Sequence, residues 1–273
     1  MKDENKYLNN IVNSSGYPFQ IAIEEEIKHH RKIHRWSIYL REHPWRNKED
    51  GLEGFIDLII GNGIVRFVIE CKRLKKGIWI FPVYRENQKK VSKFKSCWSY
   101  MKPNKEPDIG WGELSMPPSS PQSDFCIIHG QDEKAKPMLE RIGGFLISSV
   151  EAFAYEEILA EGNPNLDRLR LLIPCIVTSA RLKICNLKPS EISIKDGTVK
   201  DAQFKEVPYI RFRKNLVVQG IQQSSKAIRL KELEKQMERS ILIINSVHFT
   251  EFLNQCELED IIIHEEPWET TST

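Results

Sequence analysis

Three residues with side chains suited to hydrolysis lie in the segment IDLIIGNGIVRFVIECK. Asp57 precedes Glu70 by thirteen positions, and Lys72 follows Glu70 by two. Carboxylate oxygens suit Mg²⁺ or Mn²⁺, which keep water molecules that can serve as nucleophiles. A lysine beside them can orient or activate that water, or neutralise the negative charge that develops on a phosphate. These residue types predict metal-assisted hydrolysis of a phosphodiester, with Asp57 and Glu70 as metal ligands.

The three side chains meet if the segment forms a β-hairpin. Asn62-Gly63 tolerates the positive φ angles of a tight turn and is predicted to join two strands. With a two-residue turn there, Gly61 pairs with Ile64, and Asp57 consequently pairs with Val68. Because side chains alternate along a strand, Asp57 then shares a face with the Glu-x-Lys pair and lies diagonal to its glutamate. A three-residue loop with a bulge would change this register.

Apolar and β-branched neighbours surround Asp57 and Glu70, which predicts that both strands are well buried. An unpaired carboxylate is costly in such a place, and a bound cation removes that cost. The alternative interpretation is structural: Glu70 and Lys72 pair with each other at a strand end, and Asp57 caps a turn.

Ile56-Asp57 followed by Glu70-Cys71-Lys72 resembles the motif of the PD-(D/E)XK, or restriction-endonuclease-like, nuclease superfamily. In that family an aspartate on one strand of a hairpin is followed by Glu-x-Lys on the next, and the preceding helix often adds a glutamate. Ile56 stands where the proline of the family name would stand. The resemblance covers about residues 18 to 85. It implies a core of a helix, a three-stranded meander, a helix and a strand.

The resemblance also identifies Glu24 as the helical acid, a peripheral metal ligand or water holder, with Glu26 as the alternative. The run from Ile23 to Ile27 fits the family's helical pattern. A Mg²⁺ (or Mn²⁺) cofactor, a DNA substrate and a place in prokaryotic restriction or antiphage defence are implied, with RNA as an alternative substrate. A homo-oligomer or a defence-system partner protein is compatible with that role. The complete Asp, Glu-x-Lys set disfavours a second class, a nucleic-acid-binding or scaffold subunit without hydrolysis.

Residues 71 to 105 form a basic segment, in which eleven Lys and Arg side chains stand against one acid, Glu86. The segment directly follows the Glu-x-Lys pair and is predicted to bind nucleic-acid phosphates, while the aromatic residues between its cations favour base stacking. Residues 106 to 167 are acidic instead, and a solvated face is the alternative interpretation of either block. The predicted contacts are Arg73, Lys75, Lys76, Lys89, Lys90, Lys93, Lys95 and Trp98, and the interleaved aromatics are Trp79, Phe81, Tyr84, Phe94, Trp98 and Tyr100.

Hydrophobic periodicity predicts the elements that must position these residues. The Pro-, Gly- and Ser-rich stretch from Met101 to Ser123 predicts a long loop, and the tail EEPWETTST is expected to be mobile. Helices are expected over 18–31, in KPMLERIGGFLISSVEAFAYEEIL, over Lys226–Arg239 and in VHFTEFLNQC. Strands are expected in WSIYLREHPW, GFIDLII, IVRFVIECK, GIWIFPVY, SDFCIIHG, VPYIRFR and SILIINS, with one or two more in LRLLIPCIVTSARLKICNL.

This order of elements predicts an α/β fold, a restriction-endonuclease-like core with an elaborated mixed α/β C-terminal half. We expect the N-terminal part of the core within 1–105 and its remainder, with accessory strands, within 106–225. A last helix, strand and tail are expected within 226–273, and the length suits one compact domain.

Composition narrows the function classes. Hydrophobic residues make up 40% and charged residues 29%, an ordinary globular balance, and no apolar run approaches the ~20 residues that cross a bilayer. The start MKDENKYLNN lacks a basic, apolar leader, so a cytoplasmic location is expected. Six cysteines without a CxxC pair predict reduced, packed thiols. We expect His29, His30 and His34 on a solvated helix face, and the absence of a Gly-Lys-Ser/Thr phosphate loop disfavours an ATPase.

Overall fold

The computed structural model describes residues 2–48, 51–74, 77–84, 90–103, 105–129, 137–160, 168–216, 235–256 and 262–263. Its architecture is mixed α/β with two mixed sheets, about 32% helix and 49% strand. That strand share is about twice the average for globular domains. The larger sheet contains the strands that position the predicted site.

Three consecutive strands form an antiparallel meander that carries the predicted site. β1 (Ser37–Arg46) pairs with β2 (Glu53–Asn62), which pairs with β3 (Val65–Lys72). Helix α2 (Tyr17–His34) precedes the meander, which confirms the predicted first helix and extends it at both ends. The polar sequence before it forms a further helix that was not predicted, α1 (Lys2–Ser14).

β9 (Arg168–Thr178) is the central strand of the larger, ten-stranded sheet. One edge pairs in parallel with β3 along the whole of that strand. The other edge is divided, because its first half pairs with β5 (Val91–Met101) and its second half with β13 (Glu238–Asn245). Pairing on both edges, with both faces covered, explains its continuous apolar sequence. The sheet also contains β6 (Asp108–Ser120), β7 (Gln122–Ser123), β12 (Tyr209–Asn215) and β14 (Ile262–Ile263).

The smaller sheet has four strands: β4 (Ile78–Tyr84), β8 (Ile127–Ile128), β10 (Arg181–Leu187) and β11 (Gln203–Val207). Their order in the sheet is β11-β10-β4-β8. β4 and β10 pair in parallel at its centre, and β11 and β8 flank them in antiparallel orientation.

Two buried apolar clusters lie on opposite faces of the β2–β3 hairpin. Val68 packs in the cluster that contains α3 (Met138–Ala160) and the apolar residues of the smaller sheet. Phe67 and Ile69 pack in the other cluster, with α2 and α4 (Phe249–Gln255). Complete burial of such a side chain stabilises the fold by about 1.5–3 kcal/mol, so the hairpin is held firmly from both sides.

The predicted loop from Met101 to Ser123 is wrong, because most of it forms β6, which pairs with β5. The glycines that suggested a loop make room for a side chain instead. A Cβ atom on Gly110 would lie 2.4 Å from the Trp98 ring on the neighbouring strand. Glycine inside a strand thus marks a close approach here rather than a break in the strand.

Most other predicted elements are confirmed, including α3, α4, β9, β10, β12 and β13. The described part of SDFCIIHG contains only the short β8 and the end of β7. The predicted helix over Lys226–Arg239 lies largely outside the described residues, as does the tail. Its last two residues, Glu238 and Arg239, begin β13, so the predicted end of the helix is wrong.

Two predictions about side chains have different outcomes. All six cysteines are free thiols, as expected. The prediction that His34 lies on a solvated helix face is wrong. His34 is buried, and its Nδ1 accepts a hydrogen bond from the Trp36 N–H at 3.0 Å.

Among the described helices, none combines the length and apolar character that a membrane crossing needs.

Candidate functional site

The turn between β2 and β3 lies one residue later than predicted. Its central residues are Gly63 and Ile64, and Asn62 pairs with Val65 on either side of them. Gly63 has a φ of 56°, and glycine at the first central position is typical of a type II′ turn. The predicted Asn62-Gly63 turn is therefore wrong by one position.

This correction brings the two acidic positions of the hairpin closer together. Leu58 pairs with Ile69, and the same register continued by one residue places Asp57 opposite Glu70 rather than Val68. A shift of two residues leaves every side chain on its predicted face. Directly opposed residues have Cβ atoms roughly 5 Å apart, whereas diagonal neighbours are roughly 7–8 Å apart.

The Asp57 carboxylate extends the hydrogen bonding between β2 and β3. The Cys71 N–H donates to Asp57 Oδ2 at 2.7 Å, in the place of a main-chain carbonyl acceptor. Burial and the neighbouring Glu70 carboxylate raise the pKa of Asp57 to about 7, although the Cys71 N–H and Lys72 lower it. Near neutral pH, Asp57 is therefore divided between its two protonation states, and a cation beside it would favour the ionised form.

Glu70 and Lys72 form an ion pair at the end of β3, between Glu70 Oε1 and Lys72 Nζ. This is the contact that the structural alternative predicts. With Asp57 ionised, however, the three side chains carry one surplus negative charge. Glu42 adds a further negative charge near Asp57, and its φ of 48° marks a backbone irregularity in β1. The site thus has the charge balance that attracts a cation.

Helix α2 contacts the hairpin beside Asp57. Gln20 Nε2 donates to the Asp57 main-chain carbonyl at 2.9 Å. Glu24 lies one helical turn further along α2 and is buried, with 5% of its surface exposed. Its Oε2 lies 3.6 Å from Arg41 Nη1 on β1. The helix therefore brings an acid next to the meander, but the cation that this acid contacts is Arg41.

The two acids that follow Glu24 contact other groups. Glu25 is exposed and pairs with Lys28 at 2.5 Å. Glu26 accepts a hydrogen bond from Thr250 Oγ1 at 2.8 Å, which connects α2 to α4. Of these three acids, Glu24 is the one buried against the sheet.

Within the described ranges, no group of three or more His, Cys, Asp and Glu side chains is placed to hold a metal ion. Glu24 is therefore not gathered with Asp57 and Glu70 into a three-residue ligand set. Mg²⁺ is commonly bound through one or two carboxylates and keeps several water molecules. Asp57 and Glu70 fit that requirement, and their assignment as ligands stays a prediction.

The basic segment is described only in part, and two of its cations have partners elsewhere in the chain. Lys93 Nζ lies 4.0 Å from Glu113 Oε2 on β6. Lys95 Nζ donates to the Lys235 carbonyl, and burial lowers the pKa of Lys95. The pairing of β5 with β6 thus brings an acid from the neighbouring acidic block beside the segment. Three predicted contacts lie outside the described residues: Lys75, Lys76 and Lys89.

Three of the aromatic residues in the basic segment belong to the core. Trp79, Phe81 and Phe94 are fully buried and cannot stack on bases, so this part of the prediction is wrong. Phe94 is flanked by Lys93 and Lys95 because β5 places successive side chains on opposite faces. Trp98 is half-buried beside Gly110 and stays a predicted contact, as do Arg73 and Lys90.

Three residues near the site were not singled out in the sequence: Gln20, Arg41 and Glu42. Their contacts depend on how α2 and β1 lie against the hairpin, and no local pattern encodes that arrangement.

Comparison with known proteins gave no match to a family model, to a curated protein or to a solved structure.

Proposed function

We propose that this chain is a metal-dependent endonuclease that hydrolyses phosphodiester bonds of DNA and serves in restriction or antiphage defence. The observation that carries the proposal is the register of the β2–β3 hairpin. It pairs Leu58 with Ile69, so that Asp57 and Glu70 are the next residues along β2 and β3, and Lys72 follows Glu70 by two positions.

The element order supports a restriction-endonuclease-like core. Helix α2, the meander β1–β2–β3, helix α3 and strand β9 follow each other in the order that the resemblance implies. β9 lies beside β3 in the same sheet, so the last strand of that set directly supports the strand with Glu70 and Lys72. The strands β4 to β8 are inserted between β3 and α3.

Each catalytic residue has a distinct role in this proposal. Asp57 and Glu70 would hold Mg²⁺ or Mn²⁺, which supplies a Lewis acid and an activated water when bound. Lys72 places a positive charge beside Glu70, where it can orient the attacking water or neutralise charge that develops on the phosphate. Gln20 fixes the main chain of β2 at Asp57 through its hydrogen bond to the carbonyl.

The test is incubation of the purified protein with plasmid DNA, linear duplex DNA, single-stranded DNA and RNA, each with Mg²⁺, Mn²⁺ or EDTA. We expect cleavage of DNA with either metal and none with EDTA. Asp57→Asn should abolish cleavage. Glu53→Gln is the matched control, since Glu53 is an exposed acid on the same strand. Cleavage that persists in EDTA, or in the Asp57→Asn variant, would contradict the proposal.

A second candidate function is a nucleic-acid-binding subunit without hydrolytic activity. The Glu70–Lys72 ion pair and the Cys71–Asp57 hydrogen bond favour it, because together they account for all three side chains without a metal. Binding of DNA with no cleavage under any metal condition would select this function. Cleavage of RNA alone would select an RNA-directed nuclease.

A further inference from the structure

A groove of about 500 Å³ lies between α2 and β1. Its floor is apolar and includes the half-buried Ile38 as well as Ile27 and Trp36, which are fully buried in the cluster shared by α2 and α4. Its rim carries three cations, Lys28 and Arg31 from the helix and Arg41 from the strand. Helix α2 and the edge strand β1 thus form a groove with positively charged sides.

The cations on this rim are accessible to a ligand, although Lys28 also pairs with the exposed Glu25 at 2.5 Å. The side chain of Arg41 is 69% exposed and that of Lys28 is 50% exposed. Arg31 forms no ion pair within the part of the chain that the structure describes. Among the groove-lining residues, Glu24 is the one acid, and it is buried beneath Arg41 with 7% of its side chain exposed. The accessible charge of the groove is therefore positive.

One end of the groove borders the candidate catalytic site. Arg41 pairs across the meander with Leu58, the residue that follows Asp57. On the helix side, Glu24 lies one turn from Gln20, which bonds to the Asp57 carbonyl. The groove therefore lies beside the main chain of the hairpin at Asp57 and Leu58.

We propose that the groove between α2 and β1 holds the phosphodiester backbone of the DNA strand next to the cleaved bond, with Lys28, Arg31 and Arg41 as phosphate contacts. The inference rests on the proposed function, because it concerns the path of the same substrate. The cations recognise phosphates and carry no base specificity. The apolar floor admits the sugars or bases that lie between phosphates.

The test measures binding of a fluorescent single-stranded DNA oligonucleotide by anisotropy, in EDTA, over a series of salt concentrations. In the Lys28→Gln/Arg31→Gln variant, the slope of log affinity against log salt should become shallower by about 0.7 per lost phosphate contact, or about 1.4 in all. The control is Lys32→Gln/Arg46→Gln, which removes two exposed cations from the same helix and strand outside the groove. Its slope should equal that of the unmodified protein.

The outcomes separate this inference from the proposed function. If the unmodified protein binds and cleaves DNA and both variants keep its salt slope, the groove assignment is wrong and the nuclease proposal stands. If the unmodified protein neither binds nor cleaves DNA, both fail. Arg41 is left unchanged because its removal would leave the buried Glu24 unpaired, and thermal melting of both variants checks that they remain folded.

Discussion

Burial of Asp57 disfavours its ionised form, which is the form that would bind a metal ion. At this candidate catalytic residue, the stability of the fold and the proposed chemistry therefore have opposite requirements. Strand alternation and a hairpin turn predict that Asp57, Glu70 and Lys72 share a face, because these rules are local. The sequence did not predict the Cys71 N–H donor or the nearby Glu42 charge, since both depend on how β1, β2 and β3 lie against one another. The resulting environment holds the pKa of Asp57 far above its ordinary value.

We predict that Asp57→Asn raises the free energy of unfolding above pH 7 in EDTA. The folded protein binds the Asp57 proton more tightly than the unfolded chain does, so this group's stabilising contribution is present below about pH 4 and is lost as pH rises to about 7. The pKa difference limits the gain to at most about 4 kcal/mol. Denaturant unfolding at pH 5 and pH 8 measures it. A variant less stable than the unmodified protein at pH 8 would support a purely structural role for Asp57.

Glu70→Gln and Lys72→Ala should each reduce cleavage about a thousandfold or more, while thermal melting stays cooperative. Both side chains lie at the half-buried end of β3, so their loss removes little core packing. Because the residues act as one unit, the double variant should lose little more than either single variant. Near-normal rates in either single variant would remove that residue from the catalytic set.

Glu24→Ala should lower the rate or the Mg²⁺ affinity less than Asp57→Ala does. Glu24 is buried near Gln20 but contacts Arg41 rather than the two hairpin carboxylates. Glu25→Ala is the matched control and should be nearly silent, because Glu25 is an exposed neighbour that pairs with Lys28. Titration of Mg²⁺ against the cleavage rate distinguishes these variants. A Glu26→Ala variant with the larger loss would identify Glu26 as the helical acid instead.

At the scale of elements, the predictions held where the hydrophobic pattern alone decided the structure. The meander, α3 and β9 have long, regular apolar patterns and were predicted correctly. β6 was missed because its prolines and glycines resemble a loop, whereas its pairing with β5 and its contact with Trp98 come from tertiary packing. His34 was misplaced because the end of α2 turns inward at Trp36.

Burial lowers the pKa of His34, and His30 lowers it further while Glu26 raises it. The unfolded chain therefore takes up a proton near pH 6.5 at a position where the folded protein resists protonation. Stability from this group is present above pH 6.5 and should be lost as pH falls below it. His34→Asn, which can keep an acceptor for the Trp36 N–H, should flatten that loss in thermal melts. The exposed His29→Asn is the control, and an equal effect of both variants would contradict the assignment.

At the scale of the whole molecule, the chain is nearly neutral, with a formal net charge of +2, but its charges are unevenly distributed. The basic segment suggested one binding surface. The fold pairs part of that segment with the acidic block and places a second group of cations along α2 and β1. The sequence could not indicate this second group, because its members come from two elements that only the tertiary structure brings together.

Reversing Lys90 and Lys93 to Glu should weaken binding to nearly every DNA sequence and flatten the salt dependence, if the basic segment contacts phosphates. Both are exposed in the structure, and Lys93 Nζ lies 4.0 Å from Glu113 Oε2. The charge-matched control is the same reversal at Lys200 and Lys205. Both are exposed; Lys200 precedes β11 and Lys205 lies within it. An unchanged salt slope would make the segment a solvated face or a surface for an acidic protein.

The position of β9 also has a consequence for the folding of the chain. β3 ends at Lys72, and its parallel partner begins only at Arg168. During synthesis the apolar hairpin therefore leaves the ribosome with one strand edge unpaired until a much later part of the chain arrives. Parallel pairing between such distant segments is slow, and unpaired apolar edges promote aggregation in the meantime. Refolding yield should therefore fall as protein concentration rises.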